Sequence, residues 1–218
     1  MEEKRDDLNI KGVNVNLASA LFGTGKTDTA INGTCGSISN GHWAIFSGSP
    51  DLAIIRKALL ARAKVKEMDF SKPFSIQPGD PLSVKNPVIS KTDVKSHVWN
   101  LYYGKRYALA EDVAIIDGSG VTAQLVAYLP VTWVGDNLCR PARREMDEPY
   151  TVDVNPQYYF GLRKLGFSFL VGPGEMKPVK DEKTGEVENK LHPQVVLLVR
   201  EGARDEFEVR GVLMGMRW

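Results

Sequence analysis

The sequence predicts an α+β protein in which many short antiparallel strands accompany two short amphipathic helices. Short stretches of alternating apolar and polar residues recur along the chain, for example at residues 13–17 and 207–214. Two other stretches, residues 51–66 and 156–165, carry apolar residues at helical spacing. Because strands and helices do not alternate regularly, a doubly wound parallel sheet is not expected.

The composition is that of an ordinary globular protein. The chain has 218 residues, of which 43% are hydrophobic and 25% charged, and its net charge is +1. No apolar run reaches the roughly 18 residues that span a membrane, and the charged start lacks the apolar core of a secretory signal. The two cysteines and three histidines are scattered without metal-ligand spacing. We therefore expect a cytoplasmic protein, not an enzyme, with no cofactor, no bound metal and no membrane partner.

Residues 20–27, Ala-Leu-Phe-Gly-Thr-Gly-Lys-Thr, are similar to a phosphate-binding loop. The nucleotide-binding pattern requires glycine at the first position, where this chain has Ala20, and a helix directly after the loop. The residues that follow are turn-rich and β-prone instead. We favour a glycine-rich loop between strands, and keep a nucleotide-binding enzyme that uses Lys26 as a third hypothesis.

Residues 49–66 predict the first helix. Ser49 or Asp51 can cap its start, and Pro50 suits the first turn. The segment is the most basic in the chain; its cations are Arg56, Lys57, Arg62, Lys64 and Lys66. They form either a solvated helix face or a surface that contacts the phosphate backbone without reading base sequence.

Several segments outside the two predicted helices allow less detailed predictions. Residues 38–47 predict a strand with a turn or bulge at Asn40-Gly41, in which His42 is a packed or half-exposed residue rather than a catalyst. Residues 70–88, rich in proline, predict a linker or edge strands. We place a domain boundary there, giving domains 1–80 and 81–218. Residues 112–129 predict a hairpin, and the charged loop 139–149 is expected to be solvated rather than a binding patch.

The last part of the chain predicts a second helix followed by strands. Asn155 caps the helix, Gly166 ends it, and Arg163 and Lys164 are its cations. Residues 174–190 predict an exposed hairpin, and residues 193–200 a buried strand. The apolar end at 212–218 is either a packed strand or a docking surface for partners.

The order of these elements resembles the closing half-domain of the bacterial DNA sliding clamp, the β subunit of the replicative DNA polymerase. That family runs from a strand through a short helix and a strand to a Pro-led strand, and ends in Met-Pro-Met-Arg-Leu. The residues that fit are Asn155, Tyr158, Pro193, Met214, Met216 and Arg217. Gly215 stands where the family has Pro, and Trp218 where it has Leu. Residues 40–44 and 116–118 resemble further family motifs, the second of them in phage-encoded relatives. The likeness covers most of residues 8–218 and is poor over 70–101.

The resemblance implies clamp-like domains and a processivity factor that encircles duplex DNA, independently of base sequence, and tethers a polymerase. The DNA-facing residues would be Arg56, Lys57, Arg62, Lys64, Arg163 and Lys164. A pocket for short peptide motifs of a polymerase or clamp loader would be formed by Met214, Gly215, Met216 and Arg217. The ring would be a homo-oligomer, a trimer or a dimer, with sheet edges pairing between subunits. The short chain suggests a phage-encoded relative acting in the host cytoplasm. The alternative is a clamp-fold binding or regulatory protein that does not encircle DNA.

Overall fold

The computed structural model describes residues 30–34, 36–63, 66–76, 84–85, 102, 104–115, 122–180, 187–191 and 194–216. The predictions made for residues 8–27, for Lys64, for the boundary at 80–81, and for Arg217 and Trp218 lie outside these ranges.

Within these ranges the chain forms two helices, α1 (Leu52–Ala63) and α2 (Pro156–Lys164), and fourteen strands. The strands are β1 Ile31–Thr34, β2 Ser37–Ser39, β3 Trp43–Ile45, β4 Phe74–Ile76, β5 Val84–Lys85, β6 Tyr107–Ile115, β7 Ala123–Trp133, β8 Leu138–Pro141, β9 Tyr150–Val154, β10 Ser168–Val171, β11 Met176–Lys180, β12 Val187–Leu191, β13 Val195–Glu201 and β14 Phe207–Met214. The predicted antiparallel sheet and the two short helices are confirmed. The structure is more β-rich than the α+β prediction, and it contains a closed barrel that the sequence did not indicate.

The chain divides into two compact units. The first contains residues 1–101 together with 160–165, and the second contains residues 102–159 together with 166–218. The division along the chain therefore falls between residues 101 and 102, and the C-terminal half of α2 belongs to the first unit.

The first unit has an antiparallel sheet in the order β3-β2-β1-β4-β5. The apolar stripe predicted for α1 is buried at Leu52, Ile55 and Leu59. Its start is held by the pair predicted to cap it, because the Ser49 hydroxyl donates to the Asp51 carboxylate at 3.1 Å and accepts from the Asp51 amide at 3.3 Å. Buried hydrogen bonds of this kind hold the entry into the helix in one conformation.

The single strand predicted at residues 38–47 is instead divided into β2 and β3 by the turn predicted at Asn40-Gly41. The Asn40 Oδ1 accepts hydrogen bonds from the backbone amides of His42 and Trp43, each at 3.0 Å. Gly41 has a φ of 85°, a conformation that glycine adopts readily. Trp43 is thereby brought to a buried position at the start of β3, whereas His42 is exposed.

The second unit contains a closed barrel of six strands. Its order is β6-β7-β8-β14-β13-β10, and β10 returns to β6. Every one of these pairings is antiparallel, which a closed ring allows only with an even number of strands. β9 runs beside the first half of β7 and β8 beside its second half. Closure leaves β14 bonded on both sides, to β13 along its length and to β8 at Phe207 and Glu208.

The barrel strands form the core of the second unit. Four consecutive residues of β13, Val196 to Val199, are fully buried, so both faces of this strand are covered. Tyr159 of α2 packs on Phe169 of β10, with ring centroids 4.9 Å apart. The side chains of a six-stranded barrel fill its interior, so this is a packed core rather than a channel.

The β11–β12 hairpin forms a separate two-stranded sheet, with pairs running from Met176 opposite Leu191 to Lys180 opposite Val187. It confirms the hairpin predicted for residues 174–190. The hairpin predicted at 112–129 is also confirmed, as the longer β6–β7 pair with register shifts near Ala110.

Candidate nucleic-acid interface and C-terminal end

The two basic residues in the middle of α1 have different environments. Lys57 is exposed. Arg56 is half-buried, and its guanidinium lies 5.4 Å from the ring centroid of Phe70, which in turn meets the Phe74 ring edge-on at 5.5 Å. A guanidinium over an aromatic face gains from the cation–π attraction. Arg56 therefore has a packing role in the first unit, whatever else it contacts. The side chain of Arg62 lies outside the described part of the chain, as does Lys64.

The second pair of predicted cations lies in the last turn of α2. The Asn155 Oδ1 accepts from the Gln157 amide at 2.9 Å, and Gly166 ends the helix with a φ of 83°, so both predicted caps are present. Arg163 and Lys164 are exposed. Cations in this position also interact favourably with the negative end of the helix dipole, so their placement has a structural explanation beside a functional one.

The division of the chain brings the exposed cations of the two helices into one unit. Lys57 belongs to α1, and Arg163 and Lys164 belong to the half of α2 that forms part of the first unit. The sequence had placed the two helices in different domains, because they lie about 100 residues apart.

The C-terminal end is held by its backbone. The Gly215 amide donates to the Gln194 carbonyl oxygen at 2.8 Å, and the Met216 amide donates to the Asp153 carbonyl oxygen at 2.7 Å. Met214 and Met216 are half-buried. The end thus continues the β14 pairing rather than fraying, and it leaves two flexible, polarisable side chains partly accessible.

Gly215 occupies a position that has no space for a side chain. A Cβ added there would lie 2.8 Å from Val152 Cγ2 and 3.0 Å from the Gln194 carbonyl oxygen. The proline of the sliding-clamp pattern would meet both atoms and would also lose the amide that bonds to Gln194. Residue 215 of this chain therefore cannot take the proline of that pattern without a change in the packing of the second unit.

Three buried groups in the core have shifted pKa values. Burial raises the pKa of the Cys139 thiol to about 12 and raises the pKa values of the Tyr102 and Tyr107 hydroxyls. A buried thiol with a raised pKa is a poor nucleophile. Over the described ranges, no group of three or more His, Cys, Asp and Glu side chains could hold a metal ion.

The solvated loop predicted at residues 139–149 begins later than expected, because its first residues belong to β8 and Cys139 is buried. The charged residues of the loop after β8 are exposed as predicted. Arg143 and Arg144 are exposed, while Arg140 forms an ion pair with Glu206 at 2.6 Å. An exposed ion pair of this kind contributes little to stability.

Sequence reasoning missed the residues that support the two candidate sites. Phe70 supports Arg56, and the carbonyl groups of Gln194 and Asp153 hold the C-terminal end. None of the three carries a motif, since each acts through a contact between segments distant in sequence. The sequence did contain one signal for the C-terminal site, namely the apolar residues Met214 and Met216 at alternating positions.

In the described part of the chain, no helix is both long and apolar enough to cross a membrane. Comparison of the chain with models of known protein families, with curated proteins and with solved structures found no match.

Proposed function

We propose that the protein is a clamp-like processivity factor that binds duplex DNA independently of base sequence and tethers a polymerase. The observation that carries the proposal is that exposed cations from both helices belong to one compact unit. They are Lys57 of α1 and Arg163 and Lys164 of α2. Cations from two helices within a single domain are what the resemblance to sliding clamps requires of a surface that faces DNA.

The chemistry of this surface suits a protein that slides. Lysine and arginine neutralise phosphates and release counterions, which gives affinity without a preferred base sequence. Such binding weakens with salt, by a slope of about −0.9 in the logarithm of the affinity per phosphate contacted on duplex DNA. With a net charge of only +1, the chain depends on a local basic surface rather than on overall charge.

The C-terminal end would supply the tether. Met214 and Met216 are half-buried on a backbone that two hydrogen bonds hold in place, so a short peptide of a polymerase or clamp loader would meet a fixed strand with adaptable side chains. A tether of this kind raises the effective concentration of the polymerase at the template. Gly215 gives this surface a shape different from that of the clamp pattern.

The first test is DNA binding by a paired set of charge reversals. Arg163→Glu with Lys164→Glu changes the proposed surface, and Arg143→Glu with Arg144→Glu makes the same change of charge in the exposed loop after β8. We expect the first double variant to lose most of its affinity for a random-sequence duplex at low salt and the second to keep it. Equal losses in both would show that binding follows net charge alone and would refute the assigned surface.

The topological part of the proposal has its own test. A protein that encircles DNA stays on a closed circular duplex at high salt and is released when the circle is cut. Release from the circle at the same salt concentration as from the linear duplex would refute encirclement.

A clamp-fold binding or regulatory protein that does not encircle DNA is the second candidate. It is favoured by the closed barrel, because the pairing that closes the ring uses both sides of β14 at Phe207 and Glu208 and leaves no open edge at those residues for a neighbouring subunit. Peptide binding that depends on Met214 and Met216 in a protein without DNA affinity would support it. The nucleotide-binding hypothesis depends on Lys26 and is tested by the loss of ATP binding in Lys26→Ala.

A further inference from the structure

The β11–β12 hairpin has outer strand edges that pair with no other described strand. Among the strands that the structure describes, β11 and β12 pair with each other alone, over five residue pairs. An isolated two-stranded hairpin is marginally stable in water, and an open edge is a template for another strand. Val187 is 64% exposed, and Asn189 and Pro178 are exposed as well. The hairpin would therefore gain stability from a further strand.

The two outer edges of the hairpin are not equivalent. Pro178 lies opposite Asn189. Since proline has no amide to donate, this must be a pair whose backbone polar groups point away from each other. The outer edge of β11 therefore lacks a donor at its centre. At the same position of β12, the N–H and C=O of Asn189 face outward, where a new strand would pair.

The sequence of β12 is complementary to itself when two copies run antiparallel. It reads Val187-Glu188-Asn189-Lys190-Leu191. With a twofold axis at Asn189, Glu188 is placed opposite Lys190 of the partner subunit, and Lys190 opposite Glu188 of the partner subunit. Val187 is placed opposite Leu191 of the partner subunit. Opposite charges and apolar residues at directly facing positions stabilise a strand pair.

We infer that β12 pairs antiparallel with β12 of a second copy of this chain, forming a four-stranded sheet about a twofold axis at Asn189. The two Asn189 residues exchange both backbone hydrogen bonds at the centre. The Glu188 and Lys190 positions then form the pairs without backbone hydrogen bonds, in which facing side chains lie closest. The contact is isologous, so it closes on itself as a dimer and does not propagate. It is independent of the proposed binding of DNA.

The test is a charge exchange in the full-length chain, followed by sedimentation equilibrium over a range of concentrations. Glu188→Lys alone, or Lys190→Glu alone, brings like charges together at both facing positions. We expect each single variant to dimerise about tenfold more weakly than the wild type, or worse, from two cross-strand pairs. The double variant Glu188→Lys/Lys190→Glu restores opposite charges and is expected to dimerise like the wild type.

A mixture of the two single variants provides the sharpest control. Each lysine then faces a glutamate, so the mixture is expected to form the dimer that neither variant forms alone. Asn189→Cys adds a covalent readout: mild oxidation is expected to link two chains through this position, whereas an exposed cysteine at Glu201→Cys is not expected to link. A wild-type monomer at every attainable concentration, or a dimer indifferent to these exchanges, would overturn the assignment.

Discussion

The backbone amide of Gly215 donates a 2.8 Å hydrogen bond to the carbonyl oxygen of Gln194, in a position where a Cβ on residue 215 would overlap with Val152. The hydrogen bond ties the end of the chain to the segment that leads into β13. Gly215 directly follows the barrel strand β14 and lies between Met214 and Met216, the residues proposed to meet a partner peptide. The stability of the barrel and the shape of the proposed docking surface thus depend on the same small residue.

We expect Gly215→Pro to destabilise the protein. It removes a hydrogen bond worth about 1 kcal/mol and forces an overlap that costs about 1–3 kcal/mol. The measurement is the free energy of unfolding in urea. Gly135→Ala is the control, because an added Cβ there meets only Leu138 atoms at 3.8 Å. Equal stability of Gly215→Pro and the wild type would contradict the packing described for this end.

We expect substitutions of Arg56 and Lys57 to affect different properties, stability in the first case and DNA binding in the second. Arg56→Ala loses the contact with the Phe70 ring, and we expect about 1 kcal/mol of destabilisation from the cation–π attraction and packing. Lys57→Ala is expected to leave stability unchanged and to weaken DNA binding, since its side chain is exposed. Urea unfolding and a duplex-binding titration on both variants check this. A loss of DNA binding alone in Arg56→Ala, with a loss of stability in Lys57→Ala, would contradict the roles assigned to the two residues.

A side chain at Gly166 is expected to destabilise the protein. Its φ is 83°, and an added Cβ would overlap with the Arg200 guanidinium, which lies 4.6 Å from the centroid of the Phe167 ring. We expect Gly166→Ala to cost about 1–3 kcal/mol from conformational strain and displacement of Arg200.

Gly48→Ala isolates the conformational part of that cost, because Gly48 has a φ of 79° with open space around it. Gly166→Ala should therefore be the more destabilising of the two by thermal unfolding. Equal costs would show that the Arg200 guanidinium moves aside without a measurable loss of stability.

The stability of the protein is expected to decrease above pH 9, in part through Cys139. Burial raises the pKa of this thiol from its ordinary value of 9.0 to about 12. In this interval the unfolded chain releases a proton that the folded chain retains, so the free energy of unfolding decreases as the pH rises through 9 towards 12. Cys139→Ala is expected to flatten this dependence in urea titrations. The same slope in variant and wild type would show that the folded thiol ionises normally.

Native Cys139 is also expected to resist alkylation at pH 8, because little thiolate is present and the sulfur is buried. Peptide mass analysis after labelling in the absence and presence of urea distinguishes this residue from Cys35.

Local patterns predicted most of the described elements. Capping residues and helical spacing located α1 and α2, and alternation located the β6–β7 pair and β14. These features depend on neighbours within a few residues, where side-chain chemistry and backbone geometry are directly linked. The candidate cations Arg163 and Lys164 were likewise visible as exposed positions on a helix.

The remaining features depend on which distant segments meet. Barrel closure requires β13 to pair with both β10 and β14, and no local pattern encodes a pairing partner. The contact between Arg56 and Phe70 gives a predicted DNA-facing residue a packing role as well, and the surroundings of Gly215 leave no room for the proline of the sliding-clamp pattern. The sequence by itself determined where the two helices and several of the strands form and which residues are charged or apolar, because these properties are local. Only the tertiary structure decided that the sheet closes and that cations of both helices belong to one unit, because strand pairing and packing are set by the lowest free energy of the whole chain.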